Sequence, residues 1–339
     1  MDYLRWYRRV LNIPVENEQS VFAIQPEEQT LTIQLKHHQV KARKVVLATG
    51  RMGCGGYEVP HFMQGVPKRY YAHTCEEIDF EALKGKRVGI LGVGASSFDA
   101  AAVALETGSH SVDLLCRRSR IPQVNKAIQI IYPGFSSGYY QLPDEARWQI
   151  FNHLYGEGAP PPFESLDRLA GYSNFQVKCK LAIASVREQG DKVVLSTSQG
   201  DLAYDYVILG TGFSVDVSKQ PEISSFANQI MLWQDRPLDR TVAATVKQGR
   251  FPYLGPHFQF LEKNPGAAPF LKDIYCFNWS ATFSHALLSS DIPDISVGAA
   301  RLARGIAADF FAQDWKTYDR MLQDFQVHEF EDEKYPFLS

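Results

Sequence analysis

The sequence predicts an α/β fold with two Rossmann-like units, the first of which is incomplete. Residues 20–50 are echoed by residues 184–212, because each segment reads as alternating short strands followed by a β-branched strand that ends in a small residue, Thr and Gly. Only the second copy follows a glycine-rich turn, Gly92-Val93-Gly94-Ala95-Ser96-Ser97. No glycine precedes Gly50 in the chain, so the first copy has no equivalent turn ahead of it.

The bulk composition is that of an ordinary globular protein. Of 339 residues, 45% are hydrophobic and 22% are charged, and the formal net charge is −3. This balance gives no general attraction to nucleic acid or anionic membranes, and no apolar run approaches the roughly 20 residues of a membrane-spanning helix. The five cysteines form no C-x-x-C pair and the nine histidines show no metal spacing. We therefore expect a cytoplasmic location and no metal site.

The first unit begins with MDYLRWYRRVLNI, which predicts an amphipathic helix with Leu4, Tyr7 and Leu11 on one face. A membrane-surface or targeting helix is the alternative, disfavoured because the chain runs directly into Pro14 and the first strands. Residues 21–48 predict a three-stranded antiparallel meander that ends in a buried strand at 44–47. The following GRMGCGG is a loop, since no helical pattern follows it.

The second unit reads as strand, glycine turn, helix and strand. Residues 88–91 form the first strand, residues 95–106 are strongly helix-forming, and Gly108 suits the end of that helix. Residues 112–116 form the next strand. Residues 119–175, rich in proline and aromatics, interrupt the pattern as an insertion that we expect to lie over this unit, either as a lid or substrate wall or as a packing subdomain.

The glycine turn is the most specific motif in the chain. Gly92 permits a tight turn, Gly94 lets the backbone approach a pyrophosphate, and the amides at Ala95, Ser96 and Ser97 open a helix whose positive end faces that phosphate. Ser97 replaces the third glycine that is common there. The alternative is a glycine turn in an unrelated α/β domain.

Arginines follow the second strand of this unit, where an acidic residue would grip the ribose of NAD. Arg117 and Arg118 instead suit the ribose 2′-phosphate of NADP, which a guanidinium binds through paired hydrogen bonds. We therefore predict NADPH in preference to NADH. A pair of solvated surface arginines is the alternative.

The two repeated strand ends, Thr49-Gly50 and Thr211-Gly212, place small residues where the backbone passes a bulky cofactor. Each is weak evidence alone, because strands commonly end this way. As a repeated pair on either side of the glycine turn, they indicate two nucleotide sites.

These features together resemble the flavin-containing monooxygenases and their N-hydroxylating and Baeyer–Villiger relatives. The stretches VVLATGRMGCGG, HTCEEIDFEALKGKRVGILGVGASSFDAAAVALETG and CRRSRIPQVNK resemble bacterial FAD-dependent urate hydroxylase-like proteins most closely. The resemblance covers nearly the whole chain. A family motif of Phe, Gly and then His-Ser has a counterpart in Phe62, Gly65 and His73-Thr74, with wider spacing and Thr in place of Ser.

The resemblance implies two dinucleotide-binding domains of the two-domain flavoprotein type. Residues 1–80 and 186–339 would be the two parts of a truncated FAD-type domain, and residues 81–185 an NAD(P)H-binding domain that carries the insertion. It also implies that Asp291 or Ser290 contacts the ribityl chain of FAD and that the helix near Ser296 faces the flavin ring. The alternative is a polar loop that caps a helix through Asp294.

The implied activity is hydride transfer from NADPH to FAD, followed by oxygen transfer to a small organic substrate. Family members bind the ADP half of FAD with an N-terminal glycine turn that this chain does not show. The alternative is therefore an NADP-binding remnant without flavin chemistry, acting as an interaction protein. In either case we expect the exposed sheet edge of the incomplete domain to pair with a second copy, a partner chain or a rearranged segment of this chain. A dithiol reductase is disfavoured by the lack of a cysteine pair, and no residue is assigned a catalytic role.

Overall fold

The computed structural model describes residues 2–238, 247–292, 294–327, 329, 334 and 337. The N-terminal third forms a lone helix, a meander, a short strand and a connector that leads to a further strand. Its elements are α1 (Asp2–Val10), β1 (Val21–Pro26), β2 (Leu31–Leu35), β3 (Gln39–Ala42), β4 (Val45–Leu47) and β5 (Tyr71–His73). The helix α1 forms as predicted, but none of its residues is buried.

The middle of the chain contains the predicted strand, turn, helix and strand, followed by three helices of the insertion and a second meander. These elements are β6 (Arg87–Leu91), α2 (Ala95–Glu106), β7 (Ser111–Leu115), α3 (Pro133–Gly138), α4 (Asp144–Glu157), α5 (Phe163–Leu169), β8 (Phe175–Lys178), β9 (Ile183–Gln189), β10 (Lys192–Thr197), β11 (Gly200–Tyr204) and β12 (Tyr206–Leu209). The last elements are β13 (Ile274–Cys276), α6 (Thr282–His285), α7 (Ile295–Gln313) and α8 (Trp315–Asp324).

A five-stranded parallel sheet of order β5-β12-β6-β7-β8 forms the centre of the second unit. Its strands are apolar on both faces, as parallel strands covered on both sides require. Val88, Ile90, Val207 and Ile208 are fully buried. The helix α2 packs on one face with a run of buried alanines, and Gly108 ends it with φ of +97°. The parallel strands therefore end at one edge, beside the glycine turn.

The five-stranded sheet includes strands from outside residues 81–185, the range expected for the NAD(P)H-binding domain. β5 lies before residue 80 and β12 after residue 186, yet both pair in the five-stranded sheet. The meander β9-β10-β11 is a separate three-stranded sheet that leads into β12. We propose that the second unit runs from about residue 71 to residue 211, because strands that share backbone hydrogen bonds fold as one sheet.

The first unit keeps a much smaller parallel sheet, β13-β4. α7 and the segment around Phe258 and Phe260 pack against it in one core that also takes in Ile24, Leu31 and Leu47. The predicted strand at residues 44–47 forms, but its burial is wrong for Val46, which is 38% exposed. Among the described residues β4 pairs only with β13, so its other edge is open.

The insertion lies differently from the prediction. α5 packs on α2 of the second unit, where Ser165 Oγ donates to Asp99 at 2.5 Å. α4 instead packs against α6, and its Trp148 and Phe151 contact Phe283. The insertion therefore bridges the second unit and the C-terminal part of the chain, because its aromatic face is buried against the latter.

Candidate functional site

The glycine turn lies at the end of β6 and is packed against the end of β12. Gly92 has φ of +121°, and a Cβ there would collide with the carbonyl oxygen of Gly210. A Cβ at Gly210 would in turn collide with Oγ of Ser97. Ser97 is fully buried, and its hydroxyl makes no hydrogen bond within the described residues. Only glycine and small residues therefore allow the two strand ends to meet here.

The N-terminus of α2 is open to a ligand. Gly94 is the N-cap, with φ of −82° and no side-chain cap, and a Cβ added there would meet nothing within 4 Å. The N–H groups of Ser97 and Phe98 bond to the Gly94 carbonyl, whereas Ala95 and Ser96 are exposed. A turn with exposed amides at the positive end of a 12-residue helix fits a pyrophosphate.

The two arginines after β7 have different surroundings. Both are exposed. Arg118 turns toward the insertion, since a Cβ at Gly158 would lie 3.5 Å from its Nη2 atom. Arg117 makes no hydrogen bond or ion pair to any described residue, so its guanidinium is available to an anion. The sequence predicted the same role for both arginines, whereas the structure shows that only Arg118 approaches the insertion.

The second repeated strand end is tied to the linker that follows the first. The hydroxyl of Thr211 donates to the carbonyl of Glu58, and the N–H of Glu58 donates to the carbonyl of Gly212 at 3.0 Å. Tyr57 and Phe213 form an antiparallel bridge at the same place. Gly212 has φ of +83°, which suits glycine. The linker that follows β4 and the linker that follows β12 therefore run side by side between the two units.

A hydrogen-bonded cluster fixes the side chain of Tyr57, which lies in the linker that follows β4. Its hydroxyl donates to Glu76 at 2.7 Å, its ring stacks on His73 with centroids 4.4 Å apart, and Lys68 binds the same carboxylate at 2.7 Å. Burial alone would raise the pKa of Glu76, but the His73 N–H, Lys68 and Tyr57 together lower it to about 2. The hydrogen bond to Glu76 raises the pKa of Tyr57 to about 12. The carboxylate is thus held ionised and the phenol neutral.

His73 itself is 1% exposed, and burial lowers its pKa. Its Nδ1 atom accepts from the N–H of Cys75 at 3.1 Å, while Nε2 has no partner among the described residues. The neutral, buried imidazole of His73 therefore packs on Tyr57 and supports the linker that carries it.

The first repeated strand end is joined to β13 through Asn278. The Asn278 side chain donates to the Thr49 hydroxyl at 3.0 Å, and the Asn278 carbonyl accepts from Ser289 Oγ at 2.7 Å. Gly50 has φ of +64° and open space where a Cβ would lie. Asp291 is half-buried two residues beyond Ser289. Thr49, Asn278 and the loop that carries Asp291 are therefore connected by hydrogen bonds.

The loop does not cap α7 in the way the alternative interpretation proposed. Asp294 makes no side-chain cap; its carboxylate instead accepts from Ser136 Oγ of the insertion at 2.9 Å. The carboxylate of Asp291 accepts the N–H of Ile292 at 2.9 Å. Neither acid is therefore used for capping α7, and Asp291 is held beside the loop backbone.

The cysteines near this strand end are buried and inert. The thiols of Cys54 and Cys276 both approach Oδ1 of Asn278, at 3.2 and 3.3 Å. Burial raises the pKa of both thiols, that of Cys276 to about 12. All five cysteines are free thiols. Thiols that stay protonated are poor nucleophiles, so this pair does not provide dithiol chemistry.

A cavity of about 690 Å³ lies between the two linkers, α4 and Trp279. Six aromatic residues line it: Tyr57, Phe151, Tyr155, Phe213, Phe251 and Trp279. Its charged residues are mostly basic, with Lys219, Lys247 and Arg250 against Glu58, which pairs with Lys247 at 2.5 Å. The guanidinium of Arg51 lies 5.5 Å from the Trp279 ring centre and 5.8 Å from that of Phe213. The cavity thus has aromatic walls and a basic rim.

The inserted helix α4 is anchored by a buried charge. Arg147 is 3% exposed, donates to Asp144 at 2.5 Å and to the Ser284 carbonyl at 3.3 Å, and lies 5.0 Å from the ring centre of Trp233. Asp144 also accepts from Arg236 at 2.8 Å. Phe151 and Tyr155 follow Arg147 at one-turn intervals on α4, and Phe151 packs on Phe251 and Phe283, so the anchored helix carries both rings to the cavity. This role could not be predicted from the sequence, because no local pattern marks Arg147 as buried.

Two kinds of feature are absent from the described part of the chain. No helix there is long and apolar enough to cross a membrane. No group of three or more His, Cys, Asp or Glu side chains there is placed to hold a metal ion.

The chain is similar to known proteins in sequence and in fold. Residues 1–139 match the pyridine nucleotide-disulphide oxidoreductase family. The FAD-dependent urate hydroxylase of Xanthomonas campestris is 34% identical over 318 residues, which are 93% of this chain and 67% of that protein.

Solved structures with the same fold include two hydroxylases of amino acids. The reduced ornithine hydroxylase of Pseudomonas aeruginosa superposes with a TM-score of 0.67 at 16% identity, over 89% of this chain and 73% of that one. L-lysine 6-monooxygenase from Pseudomonas syringae gives 0.66 at 18% identity, over 91% and 74%. These likenesses confirm the predicted two-domain flavoprotein fold. The 34% sequence identity to the urate hydroxylase shows that the chain belongs to the family of FAD- and NAD(P)-dependent, monooxygenase-like oxidoreductases.

Proposed function

We propose that this protein uses NADPH and FAD to hydroxylate a small organic molecule. The observation that carries the proposal is the open glycine turn at the N-terminus of α2, which lies at the edge of the sheet where the two linkers meet. The 34% identity to an FAD-dependent urate hydroxylase supports the same reaction class.

NADPH fits the second unit. The pyrophosphate lies against the exposed amides of Ala95 and Ser96, and Gly94 leaves the space that it needs. Arg117 binds the ribose 2′-phosphate, because a guanidinium with no other partner can form paired hydrogen bonds to it. Thr211 and Gly212, at the end of β12, are the residues that would hold the nicotinamide end.

The first unit fits one end of FAD better than the other. Thr49, Gly50, Asn278 and the loop at Asp291 offer small residues and polar groups to the ribityl chain and flavin ring. The described residues of this unit contain no strand, glycine turn and helix comparable to β6 and α2, so they provide no cradle for the FAD pyrophosphate. When bound, FAD supplies the hydride acceptor and the oxygen-activating chemistry. The protein's own residues position the reactants and exclude water.

The aromatic cavity is the proposed substrate site. The half-buried rings of Tyr57, Phe213 and Trp279 offer stacking surfaces, and the basic rim favours a negative charge. A planar, weakly acidic heteroaromatic compound suits both features, and the name of the Xanthomonas relative points to urate as the first compound to test. Arg147 keeps Phe151 and Tyr155 in place, which makes α4 a substrate wall.

The test is an absorption spectrum of the purified protein before and after addition of FAD, followed by anaerobic NADPH. We expect a bound flavin band that bleaches with NADPH and recovers with air, faster in the presence of urate. A variant with Gly94→Ala serves as the control, because it obstructs the pyrophosphate without a steric conflict in the free protein. A flavin that binds but never bleaches would overturn the proposal.

A second candidate function rests on the open edge of β4. A protein that binds NADPH but stays colourless with FAD would be an interaction protein, with a second copy or a partner chain covering that edge. The same spectra decide between the two candidates. The cytoplasmic location, inferred from the cysteine pattern, remains a prediction.

A further inference from the structure

A second groove, away from the glycine turn and the aromatic cavity, runs along α7. It has a volume of about 580 Å³ and is lined by Ser137, His257, Ser296, Val297, Ala300, Arg301 and Arg304. We call it the α7 groove. Apart from Ser296, whose helix the family resemblance places against the flavin ring, none of the residues assigned to NADPH, FAD or the substrate lines it.

Two glycines let the walls of the α7 groove approach one another. A Cβ at Gly298 would collide with the carbonyl oxygen of Leu288, and a Cβ at Gly305 would collide with the ring of His257. Because these glycines are seven residues apart, they lie on the same face of α7. The His257 ring is therefore held directly against the helix, and the groove is preformed.

Arg301, on α7, fixes the opposite wall of the groove, which is formed by α3. Its Nη2 atom donates to the carbonyls of Ser136 and Ser137 at 2.9 and 3.1 Å. Its Nη1 atom is buried and makes no hydrogen bond to any described residue. Burial lowers the pKa of Arg301, so this positive charge is poorly compensated by its surroundings.

Arg304 adds a second positive charge one turn further along α7. It is exposed, and within the described residues it forms no hydrogen bond or ion pair. Like charges three residues apart on a helix repel each other. None of the residues lining the groove is acidic. Asp294, at the start of α7, has its carboxylate engaged by Ser136. The lining of the groove therefore carries positive charge and no acid. Asp309, further along α7, lies close enough to His257 to interact with it electrostatically, but its carboxylate binds Lys44 and Tyr275.

We propose that the α7 groove binds a small organic anion, through a terminal phosphate or carboxylate held by Arg301 and Arg304. Guanidinium groups match the paired oxygens of both anions. The groove has the volume of a metabolite site, since such sites measure about 300–1,000 Å³. Val297 and Ala300 provide an apolar floor for the rest of the molecule.

The test is calorimetric titration of the full chain, saturated with NADPH, with two probes at constant ionic strength. Inorganic pyrophosphate represents a phosphate ligand and citrate represents a carboxylate ligand. We expect saturable one-to-one binding of one probe, and the preferred probe identifies the anion. Arg304→Gln should weaken that binding about tenfold, as expected for the loss of a charged hydrogen bond.

Arg320→Gln is the matched control, because it removes the same charge from an exposed position on α8. Gly305→Ala changes no charge but displaces His257, and it should also weaken the binding. The proposal is overturned if neither probe saturates, if Arg304→Gln and Arg320→Gln weaken binding equally, or if NADPH competes with the probe. Weak binding that disappears when the titration is repeated at a higher ionic strength would mean an adventitious ion only, and would also overturn the proposal.

Discussion

The side-chain amide of Asn278 donates a hydrogen bond of 3.0 Å to the hydroxyl of Thr49. This bond joins the ends of β13 and β4, which are 229 residues apart in the chain. Oδ1 of the same amide accepts from the N–H and hydroxyl of Ser280, at 3.0 and 2.6 Å. One buried side chain thus holds together the strand end that we assign to the flavin.

Asn278→Ala should destabilise the fold, because it leaves the Ser280 donors unsatisfied in a buried place. We expect the free energy of unfolding to fall by about 2 kcal/mol, measured by urea denaturation. Asn228→Ala, at an exposed position, is the matched control. Equal stabilities of the two variants would contradict the role of Asn278.

Gly92 and Gly94 should respond differently to alanine, although both belong to one motif. Gly92→Ala places a Cβ against the Gly210 carbonyl at φ of +121°, and should destabilise the protein by about 1–3 kcal/mol. Gly94→Ala meets no atom within 4 Å and should leave stability unchanged. It should nevertheless weaken NADPH binding, measured by fluorescence titration, because the Cβ points into the space of the pyrophosphate.

Unchanged NADPH affinity in Gly94→Ala would show that the pyrophosphate lies elsewhere. Loss of stability in that variant would show that the turn is packed more tightly than the structure indicates.

The glycine turn could be predicted from the sequence because the residues that determine it are consecutive in the chain. A β-branched strand, a turn that needs glycine and an alanine-rich helix follow one another between residues 88 and 106, and the helix bounds agree with the structure. The meanders were predictable for the same reason, since each depends on alternation over a few residues.

The aromatic cavity could not be predicted, because distant segments build it. Tyr57, Phe151, Phe213 and Trp279 come from two linkers, an inserted helix and the C-terminal part, and none lies in a motif. The sequence also misplaced the insertion. The proline-rich aromatic composition indicated packing, but the partner of α4 depends on the buried contacts of Arg147 and Phe283.

Arg117 should decide between the two nicotinamide cofactors. Arg117→Gln removes the free guanidinium that we assign to the 2′-phosphate, so NADPH affinity should fall about tenfold or more while NADH affinity stays the same. Arg5→Gln, on the exposed helix α1, controls for the lost charge. An equal loss for NADPH and NADH would mean that Arg117 does not read the 2′-phosphate.

Glu76 should make stability depend on pH in acid. Its pKa is about 2 in the folded protein against 4.5 for an ordinary glutamate, so its contribution is complete above pH 4.5 and is lost as pH falls toward 2. Glu76→Gln should lower stability by about 1–2 kcal/mol at pH 7. The difference from the parent protein should shrink across that acid range, measured by chemical denaturation at each pH.

Glu77→Gln, at the exposed neighbouring position, is the matched control. A constant difference between Glu76→Gln and the parent at every pH would show that the effect is steric and that no proton is linked to folding.

The open edge of β4 should make this chain associate. Parallel strands are normally covered on both sides, and an unpaired edge with an exposed valine is a template for another strand. We expect light scattering to show an increase in mass with protein concentration. Val46→Lys should reduce it by placing a charge on the edge strand, whereas Val124→Lys, at an exposed position in the insertion, should not. A monomer at high concentration would contradict the expectation, because it would mean that the edge is protected within the chain itself.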